Sequence, residues 1–144
     1  MFMKIMVAFY ESAEASRAVM ASIRLAKTLG AELQAITLFK LPSASTAFAA
    51  AASPMLTETL MNDRREYCEP LLAKARESAR TYGVELATYL EEGQEVEAIV
   101  RCVVCNKADL LVIGLHQRSL HLSRLWSTVC ELAQDAPCSV LGVH

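Results

Sequence analysis

The sequence predicts a single α/β domain in which helices cover both faces of a five-stranded parallel sheet. Its 144 residues are the length of one ordinary domain, and no internal repeat or linker divides residues 1–144. Short apolar runs typical of buried strands alternate with amphipathic segments along the whole chain. Strands that alternate with helices pair in parallel through right-handed crossovers. We therefore expect three layers, with an open, doubly wound sheet in the middle.

The first three elements follow directly from apolar periodicity. Lys4–Phe9 is a short apolar run that suits a buried parallel strand. Ser12 opens a helix that ends at Gly30, and Glu32–Phe39 forms the second strand. The expected inner face of the helix consists of Ala15, Ala18, Val19, Ile23, Ala26 and Leu29.

The middle of the chain holds a segment without a clear period, followed by a long helix. Leu41–Pro54 is rich in alanine and serine, and we interpret it as a loop or a weakly ordered turn of helix. Met55–Tyr82 is predicted to be helical, and Pro70 predicts a kink or a break inside it. Its expected inner face consists of Leu60, Tyr67, Leu71, Leu72, Ala75 and Ala79.

The last third of the chain continues the alternation of strands and helices. Val84–Leu90 alternates as a strand, and a helix with inward valines ends near Asn106. Asp109–Leu115 is the most apolar strand. A helix over Ser123–Gln134 and a final strand over Ser139–Val143 complete the pattern.

Composition excludes several classes of protein. Hydrophobic residues make up 53% of the chain and charged residues 21%, so it is not a disordered protein. The net charge of -2 disfavours a nucleic-acid binder. We see no secretory signal and no apolar run near the ~20 residues that a membrane helix needs, so we expect a cytoplasmic protein. The five cysteines fit this expectation as reduced thiols that mostly pack in the core.

The segment after the fourth strand is unusually basic. Ligands in open α/β sheets bind outside the carboxyl ends of the strands, where the strand order reverses. No acidic residue lies between Asp109 and Glu131, whereas His116, His121 and two arginines do. This segment leads into a helix N-terminus, where free N–H groups favour anions. The segment is therefore either a site for a small anion such as phosphate or a solvated loop in which Ser123 is only the N-cap.

Other motifs predict no catalytic or metal site. Cys102 and Cys105 match the CxxC spacing, but they fall deep in a predicted helix with valines between them, so core packing is the better interpretation. His116 and His121 have no matched carboxylate that would make a metal site. We find no nucleophile elbow and no dinucleotide fingerprint, and we therefore expect no catalytic residues.

Three stretches resemble the universal stress protein family. Val7–Ala18 is similar to the family's V-A-V-D-G-S-E-x-S-x-x-A, Asp109–Ser119 to D-L-I-V-M-G-x-H-G-R-S, and Asp135–Val143 to H-A-P-C-P-V-L-V-V. The resemblance implies strand order 3-2-1-4-5, an adenine-nucleotide alpha-hydrolase-like fold. It also implies a homodimer that pairs through the last strand, Ser139–Val143.

The nucleotide motif that the resemblance implies is incomplete. Nucleotide-binding members carry an aspartate after strand one and G-x2-G-x9-G-S/T after strand four. Here Tyr10 replaces the aspartate, Gly114 is kept, Gln117 and Ser127 replace the other glycines, and Thr128 follows. Glycine lets backbone approach a phosphate closely and accepts positive φ, so its loss disfavours ATP binding in the family's usual manner.

Three functions remain open at this point. The first is a regulatory or binding protein of the stress response. The second is a switch that binds ATP or AMP, with Mg, in the crevice between strands one and four, held by side chains. The third is a small-molecule carrier that uses Tyr10 as a platform. The candidate site residues are Tyr10, Leu38, Gly114, Gln117, Arg118, Arg124, Ser127 and Thr128.

Overall fold

The computed structural model describes residues 1–9, 13–39, 54–115 and 130–144. The strands are β1 Lys4–Ala8, β2 Glu32–Phe39, β3 Leu86–Glu92, β4 Leu110–Gly114 and β5 Ser139–Val143. The helices are α1 Ala13–Leu29, α2 Pro54–Thr81, α3 Glu95–Asn106 and α4, which the structure describes for residues 130–135.

The five strands form one sheet in the order β3-β2-β1-β4-β5. All four neighbouring pairs are parallel, with β1 in the centre between β2 and β4. The predicted architecture and strand order are therefore confirmed. The order reverses between β1 and β4, which places the expected ligand crevice at the carboxyl ends of these two strands.

Two apolar layers flank the sheet. The residues of α1 and α2 pack with Ile5, Val7 and Val112 on one face. Those of α3 and α4 pack with Met6 and Leu111 on the other. The predicted inner face of α1 is confirmed. Its members Ala15, Ala18, Val19, Ile23 and Ala26 are at most 4% exposed, and Leu29 is partly buried against the same cluster. At roughly 25 cal/mol per Å² of apolar surface removed from water, these layers are the main stabilising term of the fold.

Pro70 was predicted to kink or break the helix, and the break is wrong. Helix α2 runs from Pro54 to Thr81 with Pro70 inside it. Proline removes one hydrogen bond of the helical ladder, but Leu72 and Ala75 remain anchored in the core beyond it. Tyr67, expected on the inner face, is 59% exposed, so the described packing of the helix begins only at Cys68.

The third strand begins two residues later than predicted. Gly83 adopts a left-handed conformation with φ of 73°, and the Val84 N–H donates to the carbonyl of Ala79 at 2.9 Å. These contacts bring the chain back onto the end of α2, as in other glycine-terminated helices. Val84 therefore belongs to the helix exit, and the strand runs from Leu86 to Glu92.

The cysteines are less buried than predicted. All five are free thiols. Cys68 and Cys102 are buried, whereas Cys105 and Cys130 are exposed. Core packing thus explains Cys102 but not Cys105. In the part of the chain that the structure describes, no helix is long and apolar enough to cross a membrane.

Candidate functional site

The central strand ends before its neighbours and leaves a notch at the carboxyl edge of the sheet. The last register pairs of β1 are Ala8 with Ile36 and Val7 with Val112. Beyond these pairs β2 continues beside β3 to Phe39, and β4 continues beside β5 to Gly114. We call this space the notch: it is bounded by residues 37–39 of β2, by 113–114 of β4, and by Phe9 where β1 leaves the sheet.

Both backbone groups of Phe9 are hydrogen-bonded, the N–H as a donor and the carbonyl as an acceptor, and these bonds hold Phe9 at the base of the notch. Its N–H donates to the carbonyl of Ile36 at 2.8 Å, which extends the ladder by one bond. Its carbonyl accepts a hydrogen bond from the hydroxyl of Thr37 at 2.6 Å. Thr37 is 2% exposed, so this bond lies in the protein interior.

Leu38 supplies an apolar side of the notch. It stands on the face of the sheet that α3 covers and packs against the buried cluster around Met6 and Ile99. Its side chain is only partly buried. Leu38 thus lies beside the notch, and its role in binding a ligand stays a prediction.

Gly114 has a structural reason to lack a side chain. A Cβ at this position would lie 2.7 Å from the carbonyl carbon and oxygen of Glu14 and 2.9 Å from the nitrogen of Ala15. These are backbone atoms of the first turn of α1, which cannot move aside as a flexible side chain would. Gly114 thus allows the start of α1 to cross the end of β4.

The first turn of α1 places a carboxylate close to this contact. The side chain of Glu14 is 17% exposed, and its Oε1 lies 3.7 Å from Nη2 of Arg17. A carboxylate in the first turn of a helix interacts favourably with the helix dipole. The same negative charge disfavours a phosphate brought to the β4 side of the notch. Sequence reasoning did not select Glu14, although an acidic residue just inside a helix start was visible.

The remaining predicted site residues lie outside the described part of the chain. These residues are Tyr10, Gln117, Arg118, Arg124, Ser127 and Thr128. The segment 41–53 and the predicted helix start at Ser123 also lie outside it. Among the described residues, Leu38 lies on the β2 side of the notch and Gly114 on the β4 side, and all the site assignments stay predictions.

The chemistry of the described residues gives no support to a metal or redox centre. No group of three or more histidine, cysteine or acidic residues is arranged to hold a metal within the described ranges. Burial raises the pKa of the Cys102 thiol from 9.0 to about 11, with a smaller contribution from the charge of Glu91. Redox-active CxxC pairs depend on a lowered thiol pKa, and the shift at Cys102 is in the opposite direction.

A separate groove of about 640 Å³ lies between α3 and α4. It is lined by Gln94, Glu95, Val96, Glu97, Val100, Arg101, Glu131 and Asp135. Four of these side chains are carboxylates and one is an arginine, so the groove is acidic and does not suit the anion that the sequence predicts. Glu95 and Glu97 occupy the first turn of α3, where they interact favourably with its dipole.

The family follows from a match along the entire chain. The model of the universal stress protein family matches residues 1–144. This chain belongs to the universal stress protein family. The five-stranded parallel sheet in the order 3-2-1-4-5 is the adenine-nucleotide alpha-hydrolase-like fold of that family.

Solved structures agree with the family assignment. A protein from the universal stress protein family from Burkholderia pseudomallei is 25% identical with a TM-score of 0.74, and the match covers 98% of this chain and 95% of that one. A universal stress protein in complex with cAMP is 24% identical with a TM-score of 0.73, covering 99% and 97%. A family member from Arabidopsis thaliana with AMP bound is 16% identical with a TM-score of 0.69, covering 98% and 90%. No curated protein matches the chain.

Proposed function

We propose that this universal stress protein is a regulatory or binding protein of the stress response that does not bind ATP in the family's usual manner. The observation that carries the proposal is the contact of Gly114 with the backbone of Glu14 and Ala15. This glycine is the one member of the three-glycine motif that the chain keeps, and packing alone accounts for it. The presence of Gly114 therefore does not indicate a phosphate-binding loop.

The other positions of the motif support the same proposal. Gln117 and Ser127 stand where nucleotide-binding members have glycine, the residue that lets a phosphate approach the backbone closely. Glu11 follows Tyr10 in the sequence, and Glu14 lies in the first turn of α1. These two carboxylates make the amino end of α1 a poor partner for a triphosphate.

A nucleotide-binding switch is the second candidate, and two of the similar structures favour it. One relative is in complex with cAMP and another has AMP bound, and neither of these ligands is a triphosphate. A ligand with one phosphate needs fewer backbone N–H donors than ATP. Arg118 and Arg124 could hold it by charge-assisted hydrogen bonds from their side chains, together with the hydroxyl of Thr128.

We also propose a cytoplasmic homodimer that pairs through β5. This strand is at the edge of the sheet, and an edge strand presents unpaired backbone groups to a second copy. Leu141 of this strand is 41% exposed. A two-fold contact would bury it against its counterpart.

Thermal unfolding with and without ligand tests the proposed function. The arms are Mg-ATP, ADP, AMP and cAMP, and Arg118→Ala is the matched variant. A ligand at about 100 times its dissociation constant adds about 2.7 kcal/mol, which raises the midpoint by several degrees for a chain of this size. The proposal expects no shift with Mg-ATP. A shift with Mg-ATP that Arg118→Ala abolishes would overturn it, and a shift with AMP or cAMP alone would establish the second candidate.

A further inference from the structure

We infer that Thr37 is a positioning residue for the notch: its hydroxyl fixes where the chain leaves β1 and so where the β1–α1 connection begins. The inference rests on the proposed function only in treating the notch as the ligand site. No sequence motif selected Thr37, since a threonine in a strand is ordinarily a packing residue.

The hydrogen bond of Thr37 replaces a ladder bond at the point where two strands separate. Register pairing between β1 and β2 stops at Ala8 and Ile36, and the Phe9 N–H makes the last backbone bond, to Ile36. The next acceptor, the Phe9 carbonyl, takes the Thr37 hydroxyl at 2.6 Å. The hydroxyl thereby supplies the donor that a continued sheet ladder would otherwise supply to this carbonyl. The backbone groups of Phe9 are therefore both hydrogen-bonded, although the register pairing of β1 with β2 ends at Ala8.

Burial makes the hydroxyl necessary. Phe9 is 6% exposed and Thr37 is 2% exposed, so water is a poor substitute for either partner. A buried carbonyl that loses its donor keeps the full cost of desolvation. Valine has nearly the shape of threonine but cannot donate, so Thr37→Val would leave the Phe9 carbonyl without this donor.

The same connection is anchored at its other end by Gly114. The link between β1 and α1 starts at Phe9, and α1 presses its first turn, at Glu14 and Ala15, against Gly114. Thr37 and Gly114 thus hold the two ends of the short link that carries Tyr10. Without the Thr37 bond, only the hydrogen bond from the Phe9 N–H to Ile36 holds the β1 end of the link, so we expect the backbone at Phe9 to open more often.

Hydrogen exchange on the ligand-free protein tests this role. The variant is Thr37→Val, the rescue is Thr37→Ser, and the control is Ser22→Ala, which removes another buried hydroxyl bond, from Ser22 to the Ala18 carbonyl at 2.7 Å. We expect Thr37→Val to speed exchange in peptides that cover residues 9–16 by about tenfold more than in peptides from α3, as the loss of one hydrogen bond implies. Thr37→Ser should restore the protection.

Two results would overturn the inference. One is a uniform rise in exchange in Thr37→Val, as we expect for Ser22→Ala, because that pattern marks a residue that only stabilises the fold. The second result comes from NMR of the wild-type protein, which replaces the exchange experiment if Thr37→Val does not fold. We expect the Thr37 hydroxyl proton to exchange slowly with water. A rapidly exchanging hydroxyl proton would reject the hydrogen bond. A shift in unfolding with Mg-ATP that Arg118→Ala abolishes would contradict the proposed function without affecting either result.

Discussion

Asp109 binds Lys4 through both backbone groups of that residue. The Lys4 N–H donates to Oδ1 of Asp109 at 3.0 Å, and the Asp109 N–H donates to the Lys4 carbonyl at 3.0 Å. The second carboxylate oxygen accepts the N–H of Met3 at 2.8 Å. Asp109 precedes β4 at the amino edge of the sheet, opposite the notch. The aspartate that opens the most recognisable motif of this chain therefore aligns the two central strands and takes no part in the candidate site.

Asp109→Ala should lower the free energy of unfolding by about 2 kcal/mol, because it removes two hydrogen bonds to a charged acceptor and leaves two backbone donors without it. Urea denaturation measures the loss. Asp135→Ala is the control, since Asp135 is exposed and its replacement should change stability by less than about 0.5 kcal/mol. Equal stability of the two variants would contradict the strand-aligning role.

Gly114→Ala should destabilise the ligand-free protein by about 1–3 kcal/mol. The added Cβ would meet backbone atoms of Glu14 at 2.7 Å, and overpacking against backbone forces a shift of α1. Gly142→Ala is the matched control in β5. Its Cβ would lie 2.5 Å from Cδ1 of Leu115, the end of a side chain that can change rotamer.

Calorimetry of both glycine variants without nucleotide gives the measurement. The smaller loss is expected for Gly142→Ala. If Gly114→Ala is as stable as the wild type, then packing against α1 does not require a glycine at this position. The proposal that this chain does not bind ATP in the family's usual manner would then lose its main support.

Part of the fold and part of the candidate site could be predicted from the sequence. The alternation of strands and helices and the inner face of α1 were predictable because buried parallel strands and amphipathic helices leave periodic apolar patterns. The strand order, in contrast, was implied by the resemblance to the universal stress protein family. Gly114 was selected because it matches the first glycine of the family's motif, and Leu38 because it ends a strand at the edge of the sheet where the ligand crevice is expected. Their role in binding a ligand stays a prediction. Thr37 and Glu14 were missed since their roles depend on partners distant in sequence: Thr37 is 28 positions from Phe9.

Replacing Gln34 by leucine should raise the free energy of unfolding by about 1 kcal/mol. Gln34 is 7% exposed, and its Oε1 is buried without a hydrogen-bond partner among the described residues. A buried acceptor without a hydrogen-bond partner lowers the free energy of unfolding by about 1–3 kcal/mol, because it has lost its hydrogen bonds to water. An apolar side chain of similar size removes this penalty. Gln94→Leu, at an exposed position, is the control and should be nearly neutral. A clear loss of stability in Gln34→Leu would mean that the amide has a role that this geometry does not show.

Cys102 should make stability fall at alkaline pH. Its thiol is 3% exposed, and its pKa is raised from 9.0 to about 11 in the folded state. Between these values the unfolded chain releases the thiol proton and the folded protein keeps it. The unfolded state then binds fewer protons, so the free energy of unfolding falls by about 1.4 kcal/mol per pH unit from this group.

Denaturation of the wild type and Cys102→Ala from pH 8 to 11 isolates this contribution, because the other titrating groups are common to both. The stability difference between the two proteins should shrink as the pH rises. A constant difference would contradict the raised pKa. Cys105, which is exposed, provides the second check: iodoacetamide should label it in the folded protein while Cys102 stays unlabelled until unfolding.

Leu141→Lys should convert the proposed homodimer into a monomer. Leu141 is 41% exposed on the edge strand β5, and a lysine at the two-fold contact would bring two positive charges together and desolvate both. Light scattering on the wild type should give twice the chain mass of 15.8 kDa, and on Leu141→Lys the chain mass itself. Val104→Lys is the control, because Val104 is 55% exposed on α3 and away from β5, and this variant should stay dimeric. A dimer in Leu141→Lys would place the contact on another surface, and a monomeric wild type would exclude it.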